Sequence, residues 1–223
     1  MMVTPDLVSE EDIAKLIIPD DLPDEPSFKA YVEAKVYDKD GHLIQYHRQP
    51  MRSLTQYFLA LMAIPLVGTY SAANSNTALS IIANTFGFPS TQSTYSSDYA
   101  DVNWNWFIQV GSGSQAFSLT LTGLAAPITN GTGAGELQYG SVSISWIPYT
   151  IIVSQTFYNN SGGTVSVTEV GLSFTIYLYY INSSNGIATT TFNALLSYDT
   201  LSTTVSIPNG SFAVFQISLE FSG

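Results

Sequence analysis

Cysteine is absent from the chain, and beyond residue 52 so are lysine, arginine and histidine. The first absence excludes disulfides, thiolate metal centres and cysteine nucleophiles, and leaves the redox compartment open. The second excludes a Ser-His-Asp triad or a cationic phosphate clamp within residues 53–223. Charged residues make up 10% of the sequence, against roughly 25% in an average soluble protein. All six bases (Lys15, Lys29, Lys35, Lys39, Arg48 and Arg52) precede residue 53. A net charge of −11 without a basic patch repels phosphate, so nucleic acid is not an expected partner. The longest apolar run, Tyr57 to Val67, has 11 residues and contains Pro65, whereas a membrane span needs about 20. The opening MMVTPDLVSEED lacks the basic and apolar regions of a secretory signal, and no internal repeat is visible.

The missing bases bear on solvent. The body from Ser53 onward carries six carboxylates only: Asp98, Asp101, Glu136, Glu169, Asp199 and Glu220. Model carboxyls titrate near 4, so below about pH 3 such a surface is almost uncharged and free of self-repulsion. The pattern fits a body facing acid, with residues 1–52 facing something else. An outward-facing composition without an export signal suggests a protein that leaves the cell as part of an assembly.

Apolar residues supply 45% of the 223 positions, enough for a sizeable core. The strongest local signal is Gln155 to Leu178. Phe157 closes one apolar/polar alternation, Asn159-Asn160-Ser161-Gly162-Gly163 turns the chain, and Val165, Val167, Leu172, Phe174, Ile176 and Leu178 resume it. Phe28 to Arg48 reads as a second hairpin around Asp38-Lys39-Asp40-Gly41, with His42 and His47 on a solvated return strand. Further strands are expected at about 104–110, 115–122, 139–147, 150–158, 164–180, 187–198, 203–207 and 212–221. Ser9-Glu10-Glu11-Asp12 resembles a helix start that aligns Ile13, Leu16 and Ile17, and a proline-rich acidic linker follows. Residues 1–27 thus read as an acidic arm before a domain spanning 28–223. A short helix over about 54–63 is expected from Ser53 and Gln56 at capping-box spacing, ended by Pro65. Residues 67–102 form a long polar loop suited to intersubunit contact. Many strands without βαβ alternation predict an all-β antiparallel sandwich, a single jelly roll with one or two short helices.

Candidate chemistry is sparse. Glu136 and Glu169 could serve glycoside hydrolysis only if the fold brought them together, and Glu169 reads more simply as a sheet residue bonded to a turn. Asp98 and Asp101 could share a cation with loop carbonyls. Neither suggestion outweighs the missing bases, so no enzyme, cofactor or resident metal is expected. Trp104 and Trp106 fall on one face of a strand, either as core or as a sugar-stacking platform. Sequons at Asn130, Asn159, Asn182 and Asn209 all fall in expected turns, where N-glycosylation is feasible, although chance supplies comparable numbers in so Ser/Thr-rich a chain. The arm residues Ile13, Leu16 and Ile17, with Arg48 and Arg52, are the candidate partner-docking groups.

The segments TFYNNSGGTVSVTEVGL and LLSYDTLSTTVSIPNGSFAVFQISLEF resemble strand pairs of virion β-sandwiches, in tail fibres and capsid spikes. As a whole the chain is similar to the penton-base capsid proteins of turreted icosahedral viruses that infect hot-acid archaea such as Sulfolobus. That resemblance implies a jelly-roll body at a five-fold vertex, assembled as a pentamer in the host cytoplasm and then exposed on the virion. It also implies contacts with the major capsid protein, turret subunits and an inner membrane-associated viral protein. The expected function is therefore a non-enzymatic capsid vertex protein. The alternative is a carbohydrate-binding adhesin or tail-fibre module using Trp104 and Trp106.

Overall fold

The structure is a computed structural model that describes residues 27–51, 53–56, 58, 102–181 and 187–222. Among these, the side chains of residues 27, 102–104, 176–181, 187–192 and 222 lie outside the description. The described residues form eight strands: β1 (Ser27–Tyr37), β2 (Leu43–Met51), β3 (Val102–Gly111), β4 (Gln138–Ile147), β5 (Thr150–Tyr158), β6 (Val165–Ile181), β7 (Ile187–Ile207) and β8 (Phe212–Ser222). They form two antiparallel sheets, one in the order β2-β1-β8-β5-β4 and the other β3-β6-β7. The chain is an all-β antiparallel sandwich, as its alternation requires.

The inner faces close over one continuous core. Val32, Ala34 and Val36 of β1 meet Phe215, Ile217 and Leu219 of β8, and Ile108, Leu172, Phe174 and Leu196 face them from the smaller sheet. Phe157 sits at the centre, edge-on to Tyr139 (4.7 Å between centroids) and to Phe215 (5.5 Å). Burying each large aliphatic or aromatic side chain contributes roughly 1.5–3 kcal/mol, so this layer dominates stability.

Along β6 the buried positions shift from Val165 and Val167 to Val170, Leu172 and Phe174, a change of parity. A register irregularity between Val167 and Glu169 produces it. β6 advances two residues there while β7 advances five, from Val205 to Thr200, and such a bulge re-aims the side chains beyond it. Glu169 and Gly171 thereby move to the outer face, where the segment between β3 and β4 covers them. That segment adds a small second cluster of Leu124, Leu195 and Tyr198.

Neutral amides close both sides of the sandwich. Gln45 Nε2 donates to the Thr204 carbonyl (2.9 Å), and its Oε1 accepts from Ser206 N (2.9 Å). Gln49 repeats the pattern one step along, donating to Thr200 O (3.1 Å) and accepting from Ser202 N (2.7 Å). These two side chains of β2 imitate a missing strand and satisfy the backbone of β7. On the opposite side, buried Gln155 of β5 accepts from Ile108 N (2.8 Å) and donates to Gly140 O (3.0 Å). The double replacement Gln45→Leu/Gln49→Leu strips the β7 edge of its partners. It is expected to lower stability by about 2 kcal/mol in urea unfolding and to promote aggregation, measurable by light scattering.

Several expectations need correction. Residues 115–122 are not a strand but an irregular cover, held where the Gln115 N–H donates to the Tyr198 hydroxyl (2.9 Å). The expected strands 187–198 and 203–207 are one strand, β7. Ser27 already belongs to β1 rather than to the arm. Leu54 does not begin a helix: it bridges Ser197, and Thr55 N donates to Leu196 O. Gln56 and Phe58 are helical, while the rest of the expected 54–63 helix, the 9–17 helix and most of the 67–102 loop lie outside the described residues. His42 is exposed, its Nδ1 3.2 Å from Asp38 Oδ2, but His47 is buried beside Gln49 Oε1 rather than solvated.

Candidate interaction surface

Among the described residues, the most exposed large apolar side chains are at the tip of the β4–β5 hairpin. Ile147 pairs with Thr150, so Pro148 and Tyr149 alone make the turn. Proline locks φ near −65°, and Tyr149 takes φ 62°. The combination suits a type II turn, whose third position normally needs glycine. Tyrosine there is strained, at roughly 1–2 kcal/mol. The Tyr149 carbonyl accepts from Phe221 N (2.7 Å), which fixes the turn against the end of β8. Tyr149 is 76% exposed, and Trp146 beside it is 77% exposed.

The edge strand β4 continues this surface. Val142 packs on the core, and its same-face successors Ile144 and Trp146 stand opposite Val153 and Ile151 of β5. Ile144 and Trp146 are exposed nonetheless, as is Ile147. From Gln138 to Thr150 the chain has no charged residue. An edge strand without charge, and without proline before its turn, lacks two of the usual guards against pairing with another chain, and beyond the irregularity between Tyr139 and Val142 it runs regular to the turn. The other edge of this sheet, β2, carries Arg48 and Pro50.

The other candidate side chains that the structure describes sit on different elements. Trp106 is partly buried and packs on the core, 6.4 Å from Phe174. Trp104 pairs with Ile176 on β3, and its side chain lies outside the described residues. Arg48 is exposed, its guanidinium 4.5 Å above the Tyr31 ring. Ile13, Leu16, Ile17, Arg52, Asn182, Asp98 and Asp101 lie outside the described residues. Asn130 and Asn209 are exposed in turns. Asn159 is fully buried: its Nδ2 donates to the Gly163 (2.8 Å) and Ile207 (2.6 Å) carbonyls. The nitrogen that glycosylation would modify is thus occupied and sealed, which excludes Asn159 as a glycosylation site of the folded chain.

The carboxylates also stay apart. Glu136 binds Gly133 N (2.7 Å) and the Thr129 hydroxyl (3.1 Å) within its own loop. Glu169 is buried, accepting from Ala126 N (2.7 Å), Ala125 N (3.0 Å) and Gly113 N (3.3 Å). A Cβ at Gly111 would strike this carboxylate, so the close approach needs glycine. Each acid is committed to a loop of its own. Among the described residues, Asp38, Asp40 and His42 form the one cluster with metal-ligand types. Asp38 there already caps the turn, accepting from Asp40 N and His42 N (both 2.9 Å).

The Glu33 carboxyl lies below its ordinary range. Burial pushes it up, but hydrogen bonds from Lys35 and Tyr46 and the charges of Lys35 and Arg48 outweigh that. Its stabilising contribution is therefore present above the unfolded-state value near 4.3 and lost as pH falls through the lower folded-state value. Glu33→Gln is expected to destabilise the protein at pH 7, with the difference from wild type closing as pH falls through the lowered folded-state value in pH-resolved urea titrations.

Among the described residues, no helix is long and apolar enough to cross a membrane. Trp146 is the surface residue that strand alternation does not single out, although its run Ser145-Trp146-Ile147-Pro148-Tyr149 places large apolar groups at a predicted turn. Comparison finds no matching protein-family model and no match among curated proteins or solved structures.

Proposed function

We propose that the protein is a non-enzymatic structural component of an icosahedral virus particle, a penton-base subunit working through subunit contacts. The observation that carries this reading is the strained, exposed tip of Trp146 and Tyr149 on the uncharged edge of β4. Backbone strain at a turn where glycine would relax it points to a side chain kept for use. The pairing of first and last strands, β1 with β8, at the heart of the larger sheet supports the jelly-roll part of the reading. Of the body's described carboxylates, Glu136 and Glu169 are each occupied in a loop of their own rather than paired with one another. In this reading β4 and its tip meet a neighbouring copy head-to-tail around a pentamer, a contact type that closes rings. The major capsid protein, turret subunits and an inner membrane-associated protein are the further partners, and the uncharged body faces an acidic exterior.

The test is ring formation by the full chain, followed by native mass spectrometry at acidic pH. Tyr149→Gly should retain or raise thermal stability while reducing ring population at least tenfold, and Trp146→Ser should reduce it likewise. Rings of unchanged population in both variants would remove this surface from the reading. A second reading, a carbohydrate-binding module, is favoured by the same pair, because exposed Trp and Tyr rings can stack on sugars. A glycan-array signal abolished by Trp146→Ala, with ring formation absent in wild type, would replace the first reading.

A further inference from the structure

We infer that residues 13–17 of the chain's own acidic arm dock into a pocket at the open end of the β1–β2 hairpin. The pairing of β1 with β2 runs from Tyr37 only as far as Ala30, opposite Met51. Ser27, Phe28 and Lys29 continue β1 and pair on the other side with β8, but have no β2 partner among the described residues. Among the described residues this leaves a notch in the sheet beyond the Ala30–Met51 pair. It holds a pocket of about 350 Å³ lined by Phe28, Ala30, Met51, Leu54, Pro50 and Tyr31, with Lys29 at its wall. That volume, near the lower bound for small-ligand pockets (~300–1,000 Å³), accepts a few aliphatic side chains.

Three observations choose the occupant. The first is chemistry: Ile13, Leu16 and Ile17 are spaced to share one helical face, matching the apolar lining. The second is charge. Residues 1–26 carry eight carboxylates against Lys15 alone, while residues 27–52 hold five bases against three acids and are the one net-positive stretch of the chain. Glu10, Glu11 and Asp12 precede the apolar face, and Lys29 stands at the pocket with Glu220 as its cross-strand neighbour. The third is tether length. Ser27 lies ten residues on from Ile17. At ~3.1 Å per residue that tether reaches about 30 Å when extended, enough to fold back onto a wall that begins at Phe28. A short tether also gives an effective concentration near millimolar, which favours the same chain over a second copy. The inference is independent of the vertex reading.

The absence of native cysteine makes disulfide trapping a clean test on the full chain. Leu16→Cys paired with Pro50→Cys should cross-link, under mild oxidation, at least tenfold faster than Leu16→Cys paired with Ser145→Cys on the far edge. The product should be an intramolecular, faster-migrating monomer. Lys29→Glu in the first pair should slow the reaction several-fold. If Pro50→Cys does not fold, Lys29→Cys at the opposite wall takes its place. Equal rates for near and far pairs, or cross-linked dimers in place of monomers, would overturn the proposal.

Discussion

Replacing Glu169 with glutamine is expected to lower the unfolding free energy by about 2–3 kcal/mol, a large loss for one atom exchanged. Three backbone N–H groups converge on the two oxygens of this fully buried side chain. A carboxylate accepts at both oxygens, whereas a glutamine must present an NH₂ to at least one of those donors. One N–H would be left without an acceptor and would face another donor, at about 1–3 kcal/mol for a buried group. The damage should be local before it is global. Hydrogen exchange should quicken first at Gly113, Ala125 and Ala126, because Glu169 is what fastens the 111–127 segment over β6. Thr168 adds one further tie, donating to Gly113 O (2.7 Å). A urea midpoint within error of wild type would refute this account.

Asn159→Ala should cost about 3 kcal/mol, by the same measurement. Its Oδ1 accepts from Ser161 N (3.0 Å) and the Ser161 hydroxyl (2.7 Å), and its Nδ2 joins two carbonyls of different turns. Its backbone serves the same junction, donating to Ser211 O (2.9 Å) and accepting from Gly210 N (2.7 Å). Alanine leaves the Gly163 and Ile207 carbonyls and the Ser161 N–H to find water at a site that is closed. Asn209→Ala is the control. That side chain makes one bond, from Gly162 N (2.8 Å), at an exposed position, and its loss should stay below about 1 kcal/mol. Glycopeptide mapping of the native protein should find Asn159 unmodified whatever is found at Asn130 and Asn209.

What the sequence makes legible follows from the reach of each signal. Period-2 alternation and Asn/Gly turns are local, so the hairpins around Gly41 and Pro148-Tyr149 can be placed from their own residues; the stretch Gln155 to Leu178 reads as a hairpin too, but its turn at Gly162 carries the chain from one sheet to the other, and β5 and β6 do not pair. The parity change between Val167 and Leu172 is also visible, and the structure supplies its cause in the register irregularity at Glu169. Residues 115–122 mislead because Phe117, Leu119 and Leu121 alternate with Ser and Thr as a strand would. Their conformation is decided by Glu169 and Tyr198, both distant in sequence. Strand β7 looks broken at Asp199–Ser202 because the apolar signal fades there. The strand continues because its backbone is bonded by Gln49, about 150 residues away in sequence. No composition rule distinguishes Gln45, Gln49 and Gln155 from solvent-facing glutamines. The tryptophans mislead for a related reason: alternation identifies the face of Trp106, but not which end of a sheet outruns its cover, and that is what exposes Trp146.

The glutamine closures set a lifetime as well as a shape. Ion pairs in the same places would weaken with added salt and with acid, whereas primary amides neither titrate nor respond to screening. Their vulnerability is hydrolysis. Conversion of Gln49 to glutamate would replace the group donating to Thr200 O with a second acceptor, setting oxygen against oxygen. The edge would then open with no change of temperature or solvent. Endurance of this sandwich is thus a matter of chemical ageing at three side-chain amides, and a mass gain of one dalton at Gln45, Gln49 or Gln155 should precede its loss of structure.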